Sequence, residues 1–203
     1  MEILIVGAGR MARSIGLRLV RNDYQVRIAD RDPDSAADLA AELGESASGE
    51  SVYNAAGATI IILALPYEAA KDLVQSWAED LSGKIVIDMS NPVDQALDGL
   101  VTPEGKSAAE ELAEAAPGAK VLKAFNTTFA SKLATSETLD VFIAGDDADA
   151  KRRLMAICRD ADLRPIDVGG LKHARTLEGI QLLQMKVQDQ IQGNWSTELT
   201  FAP

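Results

Sequence analysis

One cysteine and one histidine stand in 203 residues, and that scarcity removes several chemistries at once. Cys158 alone can close no internal disulfide, which fits a reducing compartment. It lies four residues after Leu154, where a small buried apolar role is expected rather than a thiolate nucleophile. His173 has no second histidine or cysteine with which to hold a metal, so no metal is expected. Ser-His-Asp or Cys-His catalysis would have to rest on His173, which stands among charged residues and reads as structural or solvated. Basic residues are also short, 20 against 31 acidic ones, for a net charge of −11. That balance argues against a general nucleic-acid or membrane surface, yet one or two arginines and a helix N-terminus suffice to hold a phosphate locally. No apolar run approaches the roughly 18 residues of a membrane span; the longest, 58–66, is strand-sized. No basic leader or cleavage signal precedes the first apolar run, so a cytoplasmic location is expected.

The residues that are present, 47% of them apolar, suffice for a sizeable core. Short apolar runs alternate with helical patterns, the signature of a parallel sheet wrapped by helices. Strands are expected at 2–6, 25–30, 59–65, 85–88 and 120–124, and helices at 11–22, 33–43, 67–78 and 108–116. Asp32 caps the second helix, with Pro33 at its first position. Segment 44–51 is a loop or short strand. After about Thr138 the pattern restarts, with strands at 140–144 and 164–167, a helix at 147–159 and a final one at 171–191. The expected fold is therefore α/β: a Rossmann-type doubly wound parallel sheet over 1–138, with a small C-terminal α/β cap over 139–203 that closes a cleft.

The strand Glu2–Val6 feeds directly into Gly7-Ala8-Gly9-Arg10-Met11-Ala12, and Asp30 closes the next apolar run. Each part has a physical role in holding a dinucleotide. Gly7 permits a tight turn, and Gly9 lets the backbone approach a pyrophosphate. Ala12 is small enough for the helix to pack on the strand. The helix start offers unpaired N–H groups and the positive end of its dipole. Asp30 stands where a carboxylate accepts hydrogen bonds from a ribose diol. Tyr67, Asn126 and Thr127 each follow a strand end, where ligands collect in such sheets. Asn91 does too, although before Pro92 it serves a turn equally well. Asp146 and Asp147 read as helix caps rather than a metal pair. Trp77 and Trp195 read as packing or subunit contacts.

Several stretches together resemble the NADP oxidoreductases that use a deazaflavin, coenzyme F-420 (F420). These include Gly7–Ala12, Ala64–Ala70, Ile87–Pro92, Asp98–Pro103, Val121–Thr127, Val141–Asp147 and Leu163–Asp167, in order along nearly the whole chain. The Lys-Ala-Phe-Asn-Thr stretch is similar to one in the cytosolic domain of membrane metalloreductases. The resemblance implies hydride exchange between NADP or NAD and coenzyme F-420, two small redox cofactors lying face to face in a cleft. It implies that Ala8, Gly9, Arg10 and Met11 wrap the pyrophosphate and that Asp30 and Arg31 meet the adenosine ribose. Pro66, Tyr67 and Lys71 would pass beside the cofactor with Asn91, while Asn126, Thr127, Thr128 and Ala130 would lie near the nicotinamide and the deazaflavin. Such exchange needs aligned approach more than an acid or base. The glycine motif also resembles pyrroline-carboxylate reductases and hydroxyacid dehydrogenases. An imine or carbonyl reductase and a non-catalytic dinucleotide-binding regulator therefore stay open.

Two further expectations follow. In the NADP-using family a small hydroxyl residue precedes the arginine and a lysine stands nearby, whereas this chain has Asp30 and Ser35 there. A carboxylate favours a free 2′-hydroxyl, while Arg31 and Arg10 can offset repulsion of a phosphate, so dual or weakened NADP selectivity is expected. The last helix carries Ile180, Leu182, Leu183, Met185, Val187 and Ile191, and the tail 195–201 adds aromatic surface. A homodimer contact is expected to cover them; folding back onto the chain's own Rossmann domain is the alternative.

Overall fold

The computed structural model describes residues 2–52, 57–135 and 137–201; Met1 and 202–203, the outermost residues of the two expected regions, lie outside them. The strands are β1 (Glu2–Val6), β2 (Gln25–Asp30), β3 (Ala47–Ser51), β4 (Ile60–Leu63), β5 (Ile85–Asp88), β6 (Lys120–Lys123), β7 (Leu139–Gly145) and β8 (Leu163–Gly169). The helices are α1 (Arg10–Val20), α2 (Pro33–Leu43), α3 (Tyr67–Ser76), α4 (Ala108–Ala115), α5 (Ala130–Leu133), α6 (Ala148–Asp160) and α7 (Ala174–Lys186). All eight strands form one sheet in the order β3-β2-β1-β4-β5-β6-β7-β8. The chain reverses its direction of travel across the sheet between β1 and β4, where open α/β sheets leave a crevice.

Central strands such as Ile60-Ile61-Ile62-Leu63 are buried on both faces, and each face feeds its own core. Ile3, Ile5, Ile60 and Ile62 pack with Ile15 and Leu19 of α1, Leu39 of α2, and Leu154 and Ile157 of α6. Leu4, Val6, Ile61 and Leu63 pack on the opposite face with Val74 of α3 and Leu112 of α4. Caps fix where the helices begin: Asp32 accepts from the Asp34 N–H, Ser107 and Glu110 form a reciprocal capping box, and Asp147 accepts from the Ala150 N–H. Asp146 serves a different turn, accepting from the Leu171 N–H at 2.9 Å. Arg18, buried on α1, ties the face together by donating to the carbonyls of Leu133, Thr135, Glu137 and Ala161.

Three features differ from the sequence reading. The sheet is not wholly parallel, because β7 runs antiparallel to β6. Parallel neighbours are usually joined by a crossover helix, whereas the described residues between β6 and β7 hold only the four-residue α5. The two strands after Thr138 continue the same sheet. The last helix begins as a 3₁₀ turn over Leu171–His173, and α7 ends at Lys186 rather than near 191. Beyond it Gln192, Asn194 and Trp195 adopt positive φ, which no helix accommodates.

That tail folds back on the molecule. Thr128 and Glu198 form an antiparallel bridge, Trp195 meets Phe129 edge-on at 5.5 Å, and Phe201 meets Phe142 edge-on at 5.4 Å. Asp140 accepts from the Phe201 N–H at 2.9 Å. Among the described residues no helix is long and apolar enough to cross a membrane.

Candidate functional site: a groove at the strand ends

Parallel pairing levels four strand ends. Val6 is in register with Leu63, Leu63 with Asp88, and Asp88 with Lys123. Gly7, Ala64, Met89 and Ala124 therefore leave the sheet side by side. Gly7 turns at φ +106°, where a Cβ would lie 2.5 Å from the Ala64 carbonyl oxygen. Its N–H donates to the Ala29 carbonyl at 2.8 Å. Gly9 is the N-cap of α1 with no side-chain cap, and a Cβ there would meet nothing within 4 Å. The first N–H groups of α1 thus face open space, as anion binding requires. Ala12, wholly buried, brings the helix onto the sheet.

Asp30 ends β2 beside this loop. One carboxylate oxygen accepts from the Ala8 N–H at 2.9 Å and the other from the Asp32 N–H at 3.0 Å. The loop, the helix start and a carboxylate at the neighbouring strand end are the elements a dinucleotide needs, so the residues present fit that group.

From the start of α1 a groove of about 610 Å³ runs across the strand ends. Gly9, Arg10 and Met11 form one wall, Ala64, Met89 and Asn91 the floor, and Phe125, Asn126, Thr128, Phe129, Ala130 and Ser131 the next stretch. Gln181 and Met185 of α7 and Asn194 and Trp195 of the tail close the far side. Arg10 is the one charged side chain among these lining residues.

Asn91 and Asn126 lock two of the strand ends together. Asn91 Nδ2 donates to the Asn126 carbonyl and Asn126 Nδ2 donates to Asn91 Oδ1, both at 3.0 Å. Beneath them lies a fully buried charge cluster. Lys123 Nζ donates to Asp88 at 2.8 Å, to Glu178 of α7 at 2.7 Å and to the Ser90 carbonyl at 2.6 Å. Glu178 also accepts from the Ala108 N–H that opens α4, at 3.0 Å. Burial pushes the Glu178 carboxyl above its ordinary pKa, against the pull of Lys123.

Four expected residues, Pro66, Tyr67, Lys71 and Thr127, do not line the groove. Tyr67 is buried and its hydroxyl donates to Glu111 of α4, while Lys71 reaches the same carboxylate at 3.1 Å. Burial first, and Glu111 second, push the Tyr67 hydroxyl up to about 12. Tyr67 and Lys71 thus bind α3 to α4 and are not among the lining residues, and Pro66, exposed at the turn before them, is not either. Thr127 is 1% exposed and faces away, whereas its neighbour Thr128 lines the groove. Met89, Phe125, Phe129, Gln181, Met185, Asn194 and Trp195 line it without having been singled out for it. Gln181 and Met185 carry a legible signal, the i, i+4 spacing of one helix face; the tail residues carry none. Cys158 is buried, its thiol pushed up to about 12 by burial, and among the described residues no cluster of potential metal ligands forms.

A sequence model of the family described as NADP oxidoreductase, coenzyme F420-dependent, matches residues 2–92. The F420-dependent NADP reductase of Methanothermobacter marburgensis is 30% identical, with the whole of both chains covered. Metalloreductase STEAP3 of Rattus norvegicus is 33% identical over 89% of this chain but only 36% of its own length; the chain thus spans about a third of the metalloreductases it matches. A solved structure from Arthrobacter sp. FB24, described as a candidate F420-dependent NADP reductase, superposes with a TM-score of 0.86 over the whole of both chains at 24% identity, a likeness of fold. With the Gly7–Ala12 turn, the levelled strand ends and a full-length relative at 30% identity, this chain belongs to the F420-dependent NADP oxidoreductase family.

Proposed function

We propose that the protein transfers a hydride between a nicotinamide dinucleotide, NADP(H) or NAD(H), and the deazaflavin coenzyme F-420. The observation that carries this reading is the single groove leading from the open start of α1, across the strand ends, to Trp195. The two cofactors supply the hydride donor and acceptor atoms. The chain's own part is placement: the N–H groups of α1 and Arg10 take the pyrophosphate, and the Asn91–Asn126 pair holds the floor rigid. Phe129, Met185 and Trp195 offer apolar and aromatic surface to a second planar ring and exclude water from the transfer. Residues 139–201 act in this reading as the far wall of the cleft. The cytoplasm is its expected compartment, consistent with the single thiol.

Anaerobic mixing of the protein with oxidised F-420 and NADH or NADPH tests it, through loss of the deazaflavin absorbance. Dinucleotide binding with no deazaflavin reduction would hand the groove to another reductase substrate or to a regulator. Trp195→Ala should raise the deazaflavin KM by roughly tenfold, as expected for one lost stacking contact of 1–3 kcal/mol, with dinucleotide affinity unchanged. An unchanged KM would remove Trp195 from the second site.

A homodimer belongs to the same proposal. Leu183 and Ile191 remain 62% and 55% exposed, beyond the reach of the folded-back tail, and two-fold pairing is the commonest way to cover such a face. Light scattering at micromolar concentration should give twice the chain mass, and Leu183→Glu should halve it. A monomeric mass for the parent protein counts against the dimer.

A further inference from the structure

We propose that this protein takes NAD(H) in preference to NADP(H), with Asp30 as the residue that sets the choice. The inference rests on the dinucleotide reading above and departs from the family's name. A 2′-phosphate differs from a 2′-hydroxyl by two negative charges and by needing donors where the hydroxyl offers one of its own. The turn after β2 meets the hydroxyl's needs and not the phosphate's.

Three observations carry this. First, Asp30 is fixed in place: with the Ala8 N–H on one oxygen and the Asp32 N–H on the other, its carboxylate cannot swing out of the ribose's path without breaking the glycine loop. Each oxygen keeps a further lone pair for a ribose hydroxyl. Second, two neighbouring donors that a phosphate could use are already committed. The Ser35 hydroxyl donates to Asp32 at 2.7 Å, and the Asp34 N–H donates to the same carboxylate at 3.2 Å. These bonds, the Ser35 hydroxyl foremost, hold the Asp32 carboxyl below the usual carboxylate range, so it stays ionised at neutral pH. Third, residues 30–35 set three carboxylates, Asp30, Asp32 and Asp34, against one guanidinium, Arg31. Arg31 can pair with one of these charges or with a phosphate, but it cannot neutralise the turn. Like charges brought together at a binding site weaken binding, whereas a carboxylate accepting from a ribose diol is favourable.

Calorimetric titration of the whole protein with NADH and with NADPH, with no deazaflavin present, tests this by binding alone. NADH should bind at least about tenfold more tightly. Asp30→Ser, which removes the fixed charge, should narrow or invert the ratio by a similar factor. Ser35→Lys leaves the Asp30–Ala8 bond intact and adds a cation beside the 2′ position, so it should strengthen NADPH binding and leave NADH nearly unchanged; it decides alone if Asp30→Ser does not fold. NADPH binding as tightly as NADH, or a ratio that neither variant moves, would overturn the proposal. Loss of both ligands would overturn it together with the dinucleotide site. Tight NADH binding without any deazaflavin reduction would leave it standing and remove only the hydride partner.

Discussion

Lys123→Met is expected to destabilise the protein by about 3–5 kcal/mol at neutral pH, the cost of breaking a buried ion pair from one side. The ammonium is wholly buried and serves two carboxylates and a carbonyl, from β5, α7 and the Ser90 turn. Methionine fills a similar volume, so the cavity contribution is small and the measured loss reports the two stranded carboxylates. The pH dependence distinguishes this from simple repacking. Glu178 already has a pKa raised by burial. A carboxyl whose folded pKa exceeds its unfolded one favours the fold at low pH and loses that contribution as pH rises through the folded value. Without Lys123 the Ala108 N–H is left to oppose protonation of Glu178, so the deficit of the variant should shrink as pH falls from 7.5 to 5.5. Urea unfolding at both pH values, with Lys123→Met/Glu178→Gln recovering at least about 1 kcal/mol, measures it. A loss under about 1 kcal/mol, or one that does not change with pH, would contradict the buried cluster.

The same cluster illustrates what a sequence leaves unread. Asp88 and Lys123 each sit at the end of an apolar strand, and nothing local says that a glutamate fifty-five residues further on will join them. Local signals were strong where the physics is local. The range 25–30 was legible because its apolar residues end at an acid and a turn, and 33–43 because Asp32 and Pro33 cap a helix in only one way. The glycine turn was legible because its spacing is dictated by a backbone clash with Ala64 that only glycine avoids. Thr127 was not. Side-chain alternation beyond β6 would be predictable if the strand simply continued. Instead Phe125 takes φ +63°, the chain swivels, and Asn126 and Thr128 line the groove while Thr127 turns inward. The Tyr67 contact was hidden for a different reason: its partner, Glu111, lies on a helix forty-four residues away, and a strand-end position alone does not report a helix–helix tie. The antiparallel β7 needed the knowledge that the described residues between β6 and β7 hold only the short α5, which no hydrophobic pattern reports.

Two glycines two residues apart should respond to substitution in opposite ways, and together they locate the pyrophosphate. Gly9→Val should leave stability within about 0.5 kcal/mol of the parent, the usual range for exposed sites free of special contacts. Gly9 has φ −82° and ψ −174°, open to any residue, and no atom stands within 4 Å of its added Cβ. Dinucleotide affinity should nevertheless fall by at least about a hundredfold, because the branched side chain fills the space through which a pyrophosphate meets the N–H groups of α1. Losing two charge-assisted hydrogen bonds at about 1.5–3 kcal/mol each is enough for that. Gly7→Ala is the converse. Its Cβ would stand 2.5 Å from a backbone carbonyl at φ +106°, and neither atom is free to move, since Ala64 leaves β4 in register with its neighbours. The strained backbone alone costs about 1–3 kcal/mol, and the clash adds to it, so urea unfolding should show a loss of at least about 2 kcal/mol. Folded Gly9→Val protein that binds NADH as the parent does would place the pyrophosphate away from the start of α1. Gly7→Ala with parental stability would show instead that the turn between β1 and α1 yields more readily than its contacts allow.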